Sequence, residues 1–331
     1  MERVISPLNP SIMLIKRASN ESNGFGEGFD IIVPAGWATP FWRSLIYAGA
    51  HSISLKDYRV LSAKESSRPC FPFDWIDTCS YHHHKIDRSN ELLEKYLRKP
   101  SSKKPNYISL GTNPFFKRWD SIGEEKLDLT LPKEKKSFDI DPVHNLVLEN
   151  KIEEMKEGEE KYLYSILERY KPERVEIGYF VLRGSLLSKF LNELSQWDKN
   201  GRSGNFDTSI PSKENCFIYF KIHCKSGVYF ENAHLYLPEK EDLENLEKNC
   251  FSLPQPSMKK KKNLLLRKCV GYVTGGGFSF KLGIGSAIGL MKLQSFIYLL
   301  NNFYHKDNKV FALIRNVNDN LYRSVLLTVL N

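Results

Sequence analysis

The chain has 331 residues, a formal net charge of +9, 41% hydrophobic and 26% charged residues. That length suffices for one large domain or two ordinary ones, and the balance excludes wholesale disorder. No stretch of 18 apolar residues occurs, which excludes a membrane-spanning helix, and "MERVISPLNPSIMLIKR" has no apolar core long enough for a secretory signal.

The positive excess points towards polyanions, either nucleic acid or an anionic membrane surface. It is unevenly spread. Residues 1–120 hold 17 Lys and Arg against 12 Asp and Glu, residues 121–200 hold 13 against 17, and residues 201–331 hold 18 against 10. Two basic segments thus flank an acidic one, and the division expected is a basic, aromatic region 1–120, a charged linker 121–158 and a C-terminal α+β domain 159–331. The six cysteines form no C-x-x-C pair and read as reduced, mostly buried thiols of a cytosolic or nuclear chain.

In chain order, "SIMLIKR" and "GFDIIVP" read as two short strands joined by a Gly/Ser/Asn-rich loop. "GWATPFWRSLIYAGAHSISL" starts with a turn at Pro34–Gly36 and becomes helical through Leu45, Ile46 and Ala48. The Pro/aromatic passage 68–87 reads as packed but irregular. "SNELLEKYLRKP" reads as a helix capped by Ser89 or Asn90, with Leu92, Leu93, Tyr96 and Leu97 on one face and Pro100 ending it.

Beyond the linker, a helix is expected at Leu163, Ile166, Leu167 and Tyr170. A strand with Val175, Ile177, Tyr179 and Val181 at period two follows, then a helix over 185–197 capped by Ser185. "NCFIYFKIHCKSGVYFENAHLYLP" reads as two strands joined near Lys225–Gly227, and "EKEDLENLEKN" as a charged helix. "KCVGYVTGGGFSFKLGIGSAIGLMKLQSFIYLL" reads as strand, glycine-rich turn and mixed apolar segment. Residues 309–330 read as a hairpin turning at Asn318–Asn320. Adjacent hairpins with separate helices predict an α+β fold with largely antiparallel sheets and flanking helices.

The densest constellation is "RKPSSKKPNYISLGTNPFFKRW", residues 98–119. It carries Arg98, Lys99, Lys103, Lys104, Lys117 and Arg118 with no acid among them, interleaved with Tyr107, Phe115, Phe116 and Trp119. Cations neutralise phosphates and rings stack on unpaired bases, so the combination suits RNA with exposed loops; the bland alternative is a solvated loop whose rings plug the core. Lys259, Lys260, Lys261 and Lys262 form a second cluster, either a phosphate contact or import signal, or a soluble loop tip. Cys70, Cys79 and His82–His84 raise zinc, but their C-x8-C-x2-H spacing does not fit a structural site, and no metal is expected. The glycine block lacks both the dinucleotide fingerprint and a P-loop, so tight turns and close strand approach explain it better. No nucleophile or carboxylate constellation supports catalysis.

Two sets of blocks resemble a known family. "GFDIIVPAGWATPFWRSLIYAGA", "FPFD" and "LLEKYLRKPSSKKPNYISLGTNPF" are similar to the POPLD region of the large "processing of precursors" protein subunit of eukaryotic ribonuclease P and ribonuclease MRP. "CFIYFKIHCKSG", "LYLPEKEDL" and "GYVTGGGFSFKLGIGSAIGLM" resemble the C-terminal domain of that family, in the same order.

The resemblance implies a non-catalytic, cofactor-free RNA-binding scaffold in a particle whose RNA does the cutting. Its partners would be ribonuclease P or MRP RNA and other protein subunits, not a membrane. Its place would be the nucleus and nucleolus, supporting tRNA 5′-leader removal and rRNA processing. It implies that Arg43, Arg98, Lys99, Lys103, Lys104, Lys117, Arg118 and Lys259–Lys262 contact RNA, with Asn106 and Tyr107 ordering the loop or touching a base. The family's long basic N-terminal half has no counterpart here, so a fragment or shortened product is expected. After "GA" the chain has His51, Ser52 and Ser54 where the family tends to Arg and Gly. The glycine block is also remotely similar to the C-terminal barrel of the glycine-cleavage T-protein, which implies a barrel-like C-terminal part. A folate-binding or aminomethyltransferase-like module is the alternative function.

Overall fold

The computed structural model describes residues 10–17, 27–65, 67–105, 107, 112, 114–115, 117, 119, 122, 179–210, 215–223, 227–240, 242, 253–254, 267–306, 308–319 and 321–330. The expected helices at 163–170 and 239–249, most of the expected linker, and the strand positions Val175 and Ile177 lie outside these residues.

The first two expected strands form as β1 (Met13–Arg17) and β2 (Gly28–Ile32), an antiparallel pair with Met13 opposite Ile32. Gly36, at φ +87°, turns the chain into α1 (Ala38–Tyr47), none of whose residues is buried. Helix α2 (Leu55–Lys64) was not expected. Its start is a capping box, in which Ser54 Oγ accepts from the Asp57 amide at 3.1 Å and the Asp57 carboxylate accepts from the Ser54 amide at 3.3 Å.

Helix α3 (Cys79–Leu97) starts ten residues before the expected cap. Thr78 caps it by accepting from the Tyr81 amide, so the three histidines are helical and the irregular passage ends at Thr78. Ser89 sits mid-helix and buried instead of capping, its Oγ 2.6 Å from the Phe115 carbonyl.

In the second half, β3 (Phe180–Val181) lies parallel to β4 (Cys216–His223). Helix α4 (Gly184–Lys199) has Arg183, not Ser185, at its N-cap. Then come β5 (His234–Tyr236), β6 (Leu253–Pro254), β7 (Cys269–Ser279), β8 (Ile284–Lys292), α5 (Leu293–Asn302), β9 (Val310–Arg315) and β10 (Leu321–Val329). The order β4-β8-β7-β5-β9-β10 closes because β10 also pairs with β4, giving a six-stranded antiparallel barrel.

The barrel-like expectation is met, but one pairing differs. β4 and β5 are not partners: β4 lies between β8 and β10, and β5 between β7 and β9. The expected hairpin over 216–237 is therefore two strands on different sides of the barrel.

One apolar cluster takes alternate residues from all six strands, among them Ile218, Leu235, Val273, Met291, Ala312 and Leu327, which identifies it as the interior. Leu187, Phe190 and Leu194 of α4 and Phe296, Leu299 and Leu300 of α5 complete it.

The opposite faces of β4, β7 and β8 point outward, yet Phe217, Tyr219, Tyr272, Ile288 and Leu290 are buried there. The N-terminal half covers them with Ala63 of α2, Ile76, Tyr81 of α3, Trp119 and Ile122. The glycine block makes this layer possible. Gly275–Gly277 lie within β7, not in a turn, and a Cβ on Gly275 would stand 2.8 Å from Ala63 Cβ. The helix reaches the sheet only because that strand position has no side chain.

Candidate nucleic-acid interface

The site is built on α3. Its inner face buries Tyr81, His82, Ser89, Leu93 and Tyr96, a 3–4 residue spacing that runs its whole length. Its outer face carries the favourable pairs Glu91–Lys95 and Glu94–Arg98, each Glu four residues before its cation. Hydrogen bonds from Lys95 and Arg88 hold the Glu91 carboxyl down at about 2. Pro100 ends the helix and a 3₁₀ turn, Ser101–Lys103, follows.

At this end Arg98, Lys99 and Lys103 are exposed, and the half-buried Lys104 places its Nζ 5.6 Å from the centroid of the Tyr96 ring. These four cations make one basic surface where the helix dipole is negative.

The rings of the same stretch turn the other way. Tyr107 and Phe115 are buried and meet Tyr96 at 5.7 and 5.5 Å between centroids. Trp119 is fully buried; its indole N–H donates to Tyr81 Oη at 2.7 Å and its ring meets Tyr272 of the barrel edge-on at 5.2 Å. Tyr107 therefore orders the loop and offers no face to a base. Cations and rings share the sequence because the rings moor the segment that presents the cations.

Lys117 is placed differently from the other cations. It is buried, with Nζ 3.7 Å from Glu231 Oε1, so it is spent inside the fold and does not contribute to the outer surface. Burial lowers its pKa despite that carboxylate. Arg43 is exposed on α1 beside Trp42, which is 57% exposed, and Tyr47, 87% exposed. Solvent-facing rings suited to stacking thus accompany a cation on α1, about which the basic stretch gave no sign; the visible signal was "PFWRSLIY", a basic residue set between aromatics on one short helix. Asn106, Arg118 and Lys259–Lys262 lie outside the described residues.

Behind the basic surface, α2, α3, the Pro114–Lys117 segment and residues 231–232 converge on Glu231. Arg59 grips its carboxylate with both guanidinium arms, at 3.0 and 3.4 Å, and also donates to the Thr274 carbonyl of β7 at 3.0 Å. Arg88 lies 3.8 Å from the same carboxylate. The guanidinium of Arg59 also covers the Phe73 ring at 4.4 Å. A second bidentate pair, Arg183 with Asp77 at 2.8 and 2.9 Å, ties the entry of α4 to the start of α3. These pairs and the Trp119 packing join the two halves of the chain.

Among the described residues, no three His, Cys, Asp or Glu side chains are placed to hold one metal ion, and no helix is long and apolar enough to cross a membrane. Cys70 is buried while Cys79 is exposed.

Comparison with known proteins agrees with this layout. Residues 28–119 match the model of the POPLD (NUC188) domain, and residues 250–331 that of the POP1 C-terminal domain. A human protein named "Ribonucleases P/MRP protein subunit POP1" is 37% identical over 103 residues, which is 31% of this chain and 10% of that protein. Its Arabidopsis thaliana namesake is 30% identical over 95 residues, 29% of this chain and 11% of that protein. "Ribonucleases P/MRP protein subunit popl-1" of Caenorhabditis elegans is 29% identical over 118 residues, 35% of this chain and 15% of that protein. The matches thus span between a tenth and a sixth of these relatives' lengths. With both of its characteristic domains in order, the chain belongs to the POP1 family of ribonuclease P/MRP protein subunits.

Proposed function

We propose that the chain is a non-catalytic RNA-binding scaffold in a ribonuclease P or MRP particle, acting in the nucleus and nucleolus in tRNA and rRNA processing. The observation that carries this reading is the split of residues 98–119: rings buried against the barrel, and Arg98, Lys99, Lys103 and Lys104 left on one outward surface. A platform bearing clustered, outward cations is what holding a folded polyanion needs, and the names of its relatives supply the particle. RNA is the partner to which those four residues would bind through backbone phosphates; Arg43 with Trp42 and Tyr47 would add a stacking contact.

The test is fluorescence anisotropy of labelled ribonuclease P RNA with the purified chain at graded salt. Replacing Arg98, Lys99, Lys103 and Lys104 by Glu should weaken binding at least tenfold and flatten the dependence on log salt by about three, given roughly 0.7–0.9 per neutralised phosphate. Unaltered affinity and slope would remove these residues from the interface. Cleavage of precursor tRNA by the protein without RNA would overturn the non-catalytic assignment.

A further inference from the structure

The Glu231 cluster is a place where charge does not balance. Three cations, Arg59, Arg88 and Lys117, lie within 3.8 Å of one carboxylate. Glu91, the nearest other acid, is shared by Arg88 and Lys95, and Asp74 is buried, with its pKa raised by burial towards the neutral form. Lys85 adds a further cation to the wall, and burial lowers the pKa of His84, the remaining titratable group there.

The cluster lines a small open cleft whose walls are Arg59, Phe73, His84, Arg88, Lys117 and Asn232, among others. Two buried nitrogens, Arg88 Nε and His84 Nε2, have no hydrogen-bond partner among the described residues. Arg88 is the most exposed of the three cations, at 32%, and makes the longest contact to Glu231; its other arm is held on the outer face by Glu91. Arg59 and Lys117 would stay paired with Glu231 if Arg88 turned to another anion.

We infer that this cleft is an anion site that takes one backbone phosphate of the bound RNA, with Arg88 as the residue that grips it and Lys85 beside it. A guanidinium presents forked N–H donors that match the oxygens of a phosphate, and the buried cations behind it supply a field that water screens poorly. The inference rests on the scaffold reading. It adds a second point of attachment: Arg88 precedes Arg98 by ten residues on α3, about 15 Å along the helix at 1.5 Å per residue, so one strand running along α3 meets both the cleft and the basic end.

The experiment is ethylation interference on ribonuclease P RNA, comparing the unaltered chain with Arg88→Gln and Lys85→Gln, each checked for an unchanged circular dichroism spectrum. With the unaltered chain, a small set of phosphates blocks binding when ethylated. Arg88→Gln should drop one or two of these, weaken binding about fivefold and lower the salt slope by about one, leaving in place the positions lost when Arg98, Lys99, Lys103 and Lys104 are replaced by Glu. Lys85→Gln should affect the same positions.

In parallel, thermal unfolding is followed in inorganic phosphate and in chloride at matched ionic strength. Phosphate should stabilise the unaltered chain and not Arg88→Gln. An identical interference pattern in all three proteins would overturn the inference even though the chain binds RNA. Phosphate stabilisation lost in Arg88→Gln without any change of interference would assign the cleft to a free anion and overturn it equally. Failure of the unaltered chain to bind RNA at low salt would instead sink the scaffold reading.

Discussion

Replacing Glu231 by Gln keeps the shape of the side chain and removes the charge around which Arg59, Arg88 and Lys117 gather. The side chains of Arg59 and Lys117 are only 14% and 10% exposed, so water cannot take over the role of the carboxylate. Removing one partner of a buried ion pair costs about 3–5 kcal/mol; because Glu231 itself is 24% exposed, the lower end applies, about 3 kcal/mol at neutral pH. Lys117 sets the pH dependence. Burial already holds its folded-state pKa below the ordinary lysine value, and the loss of Glu231 removes the charge that holds it up. Between its folded and unfolded pKa values the unfolded chain binds the extra proton, so stability rises with pH across that window, which extends to lower pH in Glu231→Gln than in the unaltered chain.

Urea unfolding followed by tryptophan fluorescence measures the effect, and Lys117→Met provides the partner for a double-mutant cycle. The double variant should be more stable than the sum of the single losses implies, by at least 1 kcal/mol, since each removes the other's uncompensated charge. A Glu231→Gln cost under 1 kcal/mol, or additivity within about 0.5 kcal/mol, would refute the idea that this carboxylate neutralises the junction.

His234 is buried in β5 and its pKa is driven down to about 3, first by burial and then by Arg315, so the folded state holds it neutral. Its contribution is complete above the unfolded value of 6.5 and is lost as pH falls from there towards 3, about 2 kcal/mol of it between pH 6.5 and 5; His234→Gln should flatten that part of a stability–pH profile. In β7, a Cβ on Gly276 would lie 2.5 Å from Ala287 Cβ and 2.7 Å from the Tyr229 carbonyl, so Gly276→Ala should cost about 1–3 kcal/mol in denaturant unfolding. The adjacent Gly277 meets nothing closer than 3.7 Å, and Gly277→Ala should stay within about 0.5 kcal/mol.

Elements whose signals are local were legible in the sequence: β1 and β2 from their apolar runs, α1 from its spacing, and the β9–β10 hairpin from Asn318–Asn320. Helix α2 was not, because its buried contacts are made by Ser62 and Ala63, small residues lying on a glycine strand, and so it shows no apolar stripe. The first three turns of α3 were hidden because the start signal is a lone Thr78, followed by histidines that have no strong helical preference. The closure of the barrel rests on β4–β10 and β5–β9, pairs distant in sequence that no local turn announces.

At the site, the four outward cations were legible from charge alone. The inward turn of Lys117 was not, because its countercharge, Glu231, stands more than a hundred residues away. The glycine block serves both expected purposes, close approach between strands at Gly271, Gly276 and Gly289 and a turn at Gly283; what the sequence did not show is that Gly275–Gly277 continue β7 and that Gly275 makes room for Ala63 of α2, from the other half of the chain.

Ile122 belongs to the same buried cluster as Tyr179, which packs against its edge. The intervening residues 123–178 thus run between two residues that are both anchored in the layer covering the barrel. Closing such an excursion costs only about 0.6 kcal/mol more each time its length doubles. A change of length between these two anchors therefore carries little thermodynamic consequence, which makes residues 123–178 the natural place in the chain to insert a tag or a crosslinking probe.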